Sequence, residues 1–225
     1  MQDKGLSRDL NCMRVVKELR EGMYINLGIG LPGRVANFVP EDMELFFHSE
    51  NGVLGYGRIA EREEEQEPDL VNAGAQPVVL NPDAGPCFFD SAAAFTMIRG
   101  EHLDLVILGA YQVSEKGDLA NWSATEKGFG SMGGAMDLAF GGAKRLIIIM
   151  EHVTREGKPR IVKKCSLPLT APGVVDTIFT NLAVIDVSPE GLILKEIAPG
   201  LTKEEVQEVT EPRLIIAPRL KEIEF

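Results

Sequence analysis

Glu50 stands just beyond a short apolar and aromatic run, Leu45-Phe46-Phe47-His48, and is followed at once by Asn51-Gly52 and then by Gly55 and Gly57. The run reads as a buried strand and Asn-Gly as the turn that ends it. A carboxylate at the carboxyl end of a core strand, ahead of a glycine-rich loop, sits where open α/β sheets place ligand chemistry. Bare backbone lets a bulky substrate come close and leaves N–H groups to face a developing oxyanion. In that setting Glu50 would serve as a nucleophile or base in a donor-rich pocket. The same residues also suit a plain turn, with Asn-Gly making the bend and Glu50 facing water.

The elements that must position this carboxylate can be read from patterning. Ser7 can cap a helix carrying Leu10, Met13, Val16 and Leu19 at helical spacing, which stops at Gly22. Met23 to Leu27 reads as a strand, followed by the glycine turn Gly28-Ile29-Gly30-Leu31-Pro32-Gly33 and a short helix closing before Pro40. Val78 to Leu80 is a further strand, and Asp90 or Ser91 caps a helix that runs to Gly100. Leu103 to Leu108 and Arg145 to Met150 are nearly continuous apolar runs and read as central, parallel-type strands. Leu182 to Val187 and Leu192 to Ile197 form a hairpin about Ser188-Pro189-Glu190-Gly191, and Thr202 with Glu205 forms a capping box for a C-terminal helix. No repeat or low-complexity linker divides the chain, so residues 1–225 are expected to form one domain.

Between these elements, residues 109–134 show little periodicity, and loops of that length in a compact domain are often functional. The segment holds Asn121, suited either to a substrate hydrogen bond or to capping a turn, and the chain's single Trp, Trp122, expected as an anchor packing the loop. His48, His102 and His152 read as structural, since no Ser or Cys lies in a nucleophile-elbow pattern. The acidic run 61–69 and the turn 155–158 read as solvated, and no metal site is expected.

Composition limits the function classes. A net charge of −11 argues against nucleic acid, whose phosphates need a basic surface. No apolar run reaches membrane-spanning length, and the N-terminus lacks the apolar core of a signal peptide, so a cytoplasmic, non-membrane protein is expected. Cys12, Cys87 and Cys165 are odd in number and widely spaced; each reads as a small buried or semi-buried residue.

Gly28 to Gly33 fits G-x-G-x-x-G between a strand and a helix, with Glu50 beyond it near the place, roughly 20 residues on, of a ribose-binding acid. A Rossmann-type NAD(P)-dependent oxidoreductase is therefore one reading of this segment. Against it, Gly128 to Gly133 meets the same pattern after a polar stretch, and Glu50 leads into a glycine-rich loop where a Rossmann unit would enter its next helix.

Ser49-Glu50-Asn51-Gly52, continued to Gly57, resembles the SENG signature of family I CoA-transferases, in the B (β) subunit of the 3-oxoacid enzymes. Residues 26–33 (NLGIGLPG), 88–91 (FFDS), 117–122 (GDLANW) and 133–138 (GGAMDL) match the family in the same order. The resemblance implies an α/β fold of CoA-transferase type, a mostly parallel sheet flanked by helices. It implies Glu50 as the catalytic nucleophile of a ping-pong relay through a glutamyl-CoA thioester, with coenzyme A as substrate and no separate cofactor. Asn51, Gly133 and Gly134 are the expected oxyanion donors, Gly28, Ile29 and Gly30 form the loop near the CoA thioester, and Asn121 borders the site. The expected partner is an A (α) subunit in a hetero-oligomer, with an acyl-CoA and a carboxylic acid as substrates. An acidic chain binding the anionic coenzyme A fits that expectation, since a second subunit can lend basic side chains. The succinate and acetoacetate-type members read NWMIPGK in the loop after Asn121. Here Lys127 is kept but Thr125 and Glu126 replace Pro and Gly, which leaves the acyl substrate open. A catalytically silent scaffold subunit is the remaining alternative.

Overall fold

The computed structural model describes residues 5–125, 130 and 133–225. In chain order the elements are α1 (Arg8–Val16), β1 (Tyr24–Leu27), β2 (Phe46–Ser49), β3 (Val53–Ile59), β4 (Val78–Leu80), β5 (Cys87–Phe88), α2 (Ser91–Arg99) and β6 (Leu105–Leu108). There follow β7 (Gln112–Ser114), β8 (Leu119–Ala120), α3 (Ala135–Ala139), β9 (Leu146–Met150), β10 (Ile161–Val162), β11 (Thr177–Thr180), β12 (Ala183–Ser188), β13 (Gly191–Ile197), α4 (Lys203–Glu208) and β14 (Ile215–Glu222).

An 11-stranded sheet in the order β14-β13-β12-β11-β9-β6-β1-β2-β3-β4, with β5 beside β3, carries the fold. Its centre, from β2 through β1, β6 and β9 to β11, is parallel. Antiparallel wings flank it, β3, β4 and β5 on one side and β12 and β13 on the other. The centre is parallel because β6 and β9 are buried along their whole length, as strands covered on both faces must be. Successive residues alternate between the two faces. Val106, Leu108, Ile148 and Met150 join the core packed by α2, α3 and α4, whereas Leu105, Ile107, Ile147 and Ile149 join the core packed by α1.

The order of the central strands decides where a ligand can sit. From β1 the chain moves outward to β2, β3 and β4, then crosses back to β6 on the other side of β1 and continues away through β9 and β11. The connections therefore diverge at β1, and the loops leaving the carboxyl ends of β1 and β6 part to leave a crevice.

Several local expectations are met and some are corrected. Ser7 caps α1, Asp90 caps α2, and Thr202 with Glu205 makes the capping box of α4. The buried stripe of α1 differs from the expected one: Met13 is 39% exposed, while Cys12, Arg14, Val15 and Val16 face inward. The reason is Arg14, which enters the core to form two hydrogen bonds with the carboxylate of Glu196 (2.7 and 3.0 Å) and one with Glu18 (2.9 Å). Residues 109–134 are not wholly irregular, because β7 and β8 pair there and β10 joins them in a second, three-stranded sheet. The glycine turn after β1 opens a 3-10 helix at Pro32–Phe38, and Glu50 leads into the antiparallel β2–β3 hairpin. A dinucleotide unit needs an α-helix at the first place and a crossover at the second. Cys12 is buried and Cys165 half-buried, but Cys87 on the edge strand β5 is exposed. Among the described residues, no helix is long and apolar enough to cross a membrane. Glu126 and Lys127, and all but Gly130 and Gly133 of the second glycine run, lie outside the described residues.

Candidate active site

Glu50 occupies the first position of the turn between β2 and β3. The turn is held on several sides. The Gly52 N–H donates to the Ser49 carbonyl (3.0 Å), the Phe89 N–H donates to the Gly52 carbonyl (3.0 Å), and the Ala73 N–H donates to Ser49 Oγ (2.8 Å). Gly52 has φ +111°, and a Cβ there would fall 1.9 Å from the Phe89 carbonyl oxygen, so only glycine lets the hairpin pack against that segment.

The carboxylate projects into a cleft of about 640 Å³ at the crevice between the β1 and β6 loops. Gly28 and Ile29 follow β1, Gly109, Ala110 and Tyr111 follow β6, and Gly133, Gly134 and Met136 close the opposite wall at α3. Among the described lining residues, Glu50 is the single carboxylate, and none is Lys, Arg or His. Gly134 comes closest: a Cβ placed on it would lie 2.9 Å from Glu50 Oε1 and 3.2 Å from its Cγ. The backbone of Gly134 can approach the carboxylate this closely only because it carries no side chain.

On the other side, Asn26 of β1 donates from Nδ2 to Glu50 Oε2 at 3.3 Å. The same nitrogen lies 3.1 Å from His48 Nδ1 and 3.2 Å from the His48 carbonyl. Asn26 and His48 are both fully buried, and the parallel register pairs them across β1 and β2. Burial pushes the His48 imidazole down to about 4, so the ring is neutral. Tyr56 of β3 is buried with its hydroxyl unpartnered; burial, reinforced by the Glu50 charge, raises its phenol.

The expected site residues divide into three groups. Glu50, Gly28, Ile29, Asn121, Gly133 and Gly134 are brought together around one cleft. Within it, Asn121 makes local contacts: its Nδ2 donates to the Gly109 carbonyl (3.2 Å), and its Oδ1 accepts from the Thr170 hydroxyl (2.6 Å). It therefore ties the β6 loop to the segment at Thr170. Trp122 is anchored by its Nε1–H to the Leu169 carbonyl (3.1 Å) and lines the cleft. Asn51 does not face the cleft; its Nδ2 donates to the Val71 carbonyl (2.7 Å), so its side chain braces the turn and is not an oxyanion donor in this conformation. Gly30, at φ +84°, makes the turn after β1 and does not line the cleft. Asn26 and His48 complete the surroundings of Glu50 without having been picked out by sequence. The signal for Asn26 was a polar amide inside an otherwise apolar strand.

A half-buried carboxylate flanked by an amide donor and by glycine backbone, at the floor of an apolar cleft, can attack an electrophilic carbonyl and hold the resulting adduct away from water. Comparison with known proteins identifies the setting. The B subunit of 3-oxoadipate CoA-transferase from Acinetobacter baylyi is 46% identical over 213 residues, covering 94% of this chain and 96% of that protein. The B subunit of succinyl-CoA:3-ketoacid coenzyme A transferase from Helicobacter pylori is 48% identical over 204 residues, covering 91% and 96%. The fold matches the crystal structure of an acyl-CoA transferase apoenzyme from Escherichia coli O157:H7 with a TM-score of 0.77 at 19% identity; the match takes in 96% of this chain but spans 43% of that one. Residues 12–209 match the family model of coenzyme A transferase, and on this match and those relatives the chain belongs to the coenzyme A transferase family.

Proposed function

We propose that this chain is the nucleophile-bearing half of a two-subunit CoA-transferase, its B (β) subunit, and that Glu50 carries the coenzyme between an acyl-CoA and a carboxylic acid. The observation that carries the assignment is the position of Glu50, the one carboxylate among the described residues of the cleft, between the Asn26 amide and the Gly134 backbone.

A Glu50 oxygen attacks the acyl-CoA carbonyl carbon. The tetrahedral adduct collapses by breaking the C–S bond, giving a mixed acyl-glutamyl anhydride and the CoA thiolate. The thiolate then attacks the glutamyl carbonyl; a C–S bond forms, the anhydride C–O bond breaks, and the first carboxylate departs. The incoming carboxylate attacks the glutamyl thioester and expels thiolate, giving a second anhydride; the thiolate then attacks the carbonyl of the incoming acid, the anhydride C–O bond breaks, and the Glu50 carboxylate is released free. The energy of the thioester is kept in a covalent bond throughout, which requires ping-pong kinetics. Each adduct places negative charge on oxygen, for which the Asn26 Nδ2–H and the backbone at Gly133-Gly134 are the nearby groups; one such donor contributes on the order of 3 kcal/mol.

An A (α) partner follows from the relatives, both of them B-type halves of an enzyme, and from the cleft, where no described lining residue is basic although the ligand is polyanionic. A 3-oxoacid or its CoA ester is the substrate class favoured, since the relatives are named for 3-oxoadipate and 3-ketoacids. Residues 1–225 act as one domain, and the assembly works in the cytoplasm. The test is to expose the reconstituted pair to acyl-CoA and digest it. A CoA-sized mass increase on Glu50, lost in Glu50→Ala, is expected; labelling elsewhere or nowhere overturns the proposal.

A further inference from the structure

His48 precedes Glu50 by two residues on β2, and its ring nitrogen Nδ1 faces the same Asn26 nitrogen that touches the Glu50 carboxylate. Asn26 Nδ2 carries two hydrogens and meets three acceptors: His48 Nδ1, the His48 carbonyl and Glu50 Oε2. The opposite amide orientation would turn Oδ1 toward all three acceptors, including a carboxylate, which electrostatics forbids. Asn26 Oδ1 itself is buried and has no hydrogen-bond partner among the described residues. The amide is held from its nitrogen side, by one acceptor on the His48 ring, one on the His48 backbone and one on Glu50, and only the first of these is lost when the side chain is replaced.

We infer that His48 is a positioning residue for the reaction: its unprotonated Nδ1 aims the Asn26 amide so that an N–H meets the glutamyl oxygen on which charge develops. The inference rests on the reading of Glu50 as the nucleophile. With Nδ1 as acceptor, the ring proton sits on Nε2, which meets no acceptor of ordinary geometry among the described residues, the Ala94 backbone being the group that favours its proton. Burial keeps the ring neutral, so one ring nitrogen keeps a lone pair, and the Asn26 Nδ2 hydrogens facing Nδ1 assign it there. A histidine that merely filled space would not need its acceptor on the one amide that contacts the nucleophile. Its ring stacks near Phe89, with centroids 6.0 Å apart, and also lines a second cavity of about 330 Å³ with Tyr24, Leu54, Met97, His102 and Leu103, so another planar group has room there.

In the step concerned, CoA thiolate adds to the glutamyl carbonyl carbon, the carbonyl π pair moves onto oxygen, and the oxyanion reforms the carbonyl as the acyl carboxylate leaves. An Asn26 N–H turned away from that oxygen leaves the charge with one donor fewer, a loss of about 10²-fold in rate. The experiment compares wild type, His48→Phe and His48→Asn in the two-subunit enzyme by rapid quench and mass spectrometry of the Glu50 thioester, with Tm recorded for each. Phe keeps the ring and removes the acceptor; Asn offers its Oδ1 near the place of Nδ1. Thioester formation about 10-fold slower in His48→Phe, a part of the about 10²-fold that losing the donor outright would cost, with His48→Asn close to wild type, is expected. Equal rates in all three overturn the inference, as do equal losses in both variants. A wild-type enzyme that forms no Glu50 adduct overturns the nucleophile assignment itself, a separate outcome. Should His48→Phe fail to fold, ¹⁵N NMR of the wild type decides: Nδ1 with a pyridine-type shift at neutral pH is expected, and a protonated Nδ1 refutes the positioning role.

Discussion

Gly134→Ala tests the geometry of the cleft with one methyl group. The new Cβ would stand 2.9 Å from Glu50 Oε1, 3.2 Å from Glu50 Cγ and 3.3 Å from Phe95 Cζ. Ordinary contact begins near 3.4 Å, so the carboxylate must retreat by about 0.5 Å. Misplacing a reacting group by about 1 Å costs about 10²-fold, and half that displacement corresponds to about 10-fold in the rate of Glu50-thioester formation. Stability responds differently. Gly134 has φ −65° and ψ −8°, which alanine adopts freely, and losing a glycine stiffens the unfolded chain, so Tm should stay level or rise slightly. Gly133→Ala is the control, because a Cβ there meets no atom of the described residues within 4 Å. The assay is rapid quench of the two-subunit enzyme with acyl-CoA, followed by intact mass and by melting curves of all three proteins. A Gly134→Ala enzyme that forms the thioester at the wild-type rate, or one whose loss is matched by Gly133→Ala, would refute the argument from close approach.

Other consequences are open to test. Asn26→Ala removes the amide donor to Glu50 and should lower the rate of thioester formation by about 10²-fold, with substrate KM changed far less; equal losses in KM and rate would count against it. Glu196→Ala takes the bidentate partner from Arg14, 9% exposed, and leaves it Glu18 alone, and should cost about 1.5 to 3 kcal/mol in urea unfolding. Stability should also fall as pH drops from about 6.5 toward 4. His48 and His152 are buried and neutral when folded, with burial taking each from 6.5 to about 4, so the unfolded chain binds more protons in that window. Each gap corresponds to about 3 kcal/mol, present above pH 6.5 and lost on acidification; His152→Gln should flatten the curve measured by urea titration at several pH values. Finally, iodoacetamide should label Cys87 rapidly and spare Cys12, whose thiol burial pushes up to about 12, as peptide mapping will report.

The parts of the site that could be read from the chain are those whose chemistry is local. Glu50 sits in an Asn-Gly turn after an aromatic strand, and the glycines at 28, 133 and 134 occur in short runs that mark bare backbone. Asn26 was hidden because its importance comes from register: it meets Glu50 only because β1 and β2 pair with Asn26 opposite His48. Asn51 misled for the converse reason. Being next to Glu50 in sequence suggested a shared task, but two residues beyond the end of β2 its side chain turns toward Val71. Central strands such as Leu146–Met150 announce themselves by unbroken apolar character, whereas β8, two residues long, prints no pattern at all. In α1 the apolar spacing was real, but a buried ion pair across more than half the chain rotated the inward face by drawing Arg14 to Glu196.

The divergence of connections at β1 has a further meaning for how this protein can change. The reactive turn and its amide donor come from the first quarter of the chain, whereas the walls that an incoming acid would touch, at 108–111, 121–124 and 133–138, come from the middle. The turn and the cleft walls thus come largely from separate stretches, joined by the strand pairing of β1 with β6 and by the close approach of Gly134 to Glu50. Loop exchange at 108–111 and 121–124 can therefore remodel the cleft walls while leaving Glu50, Asn26 and Gly134 as they stand.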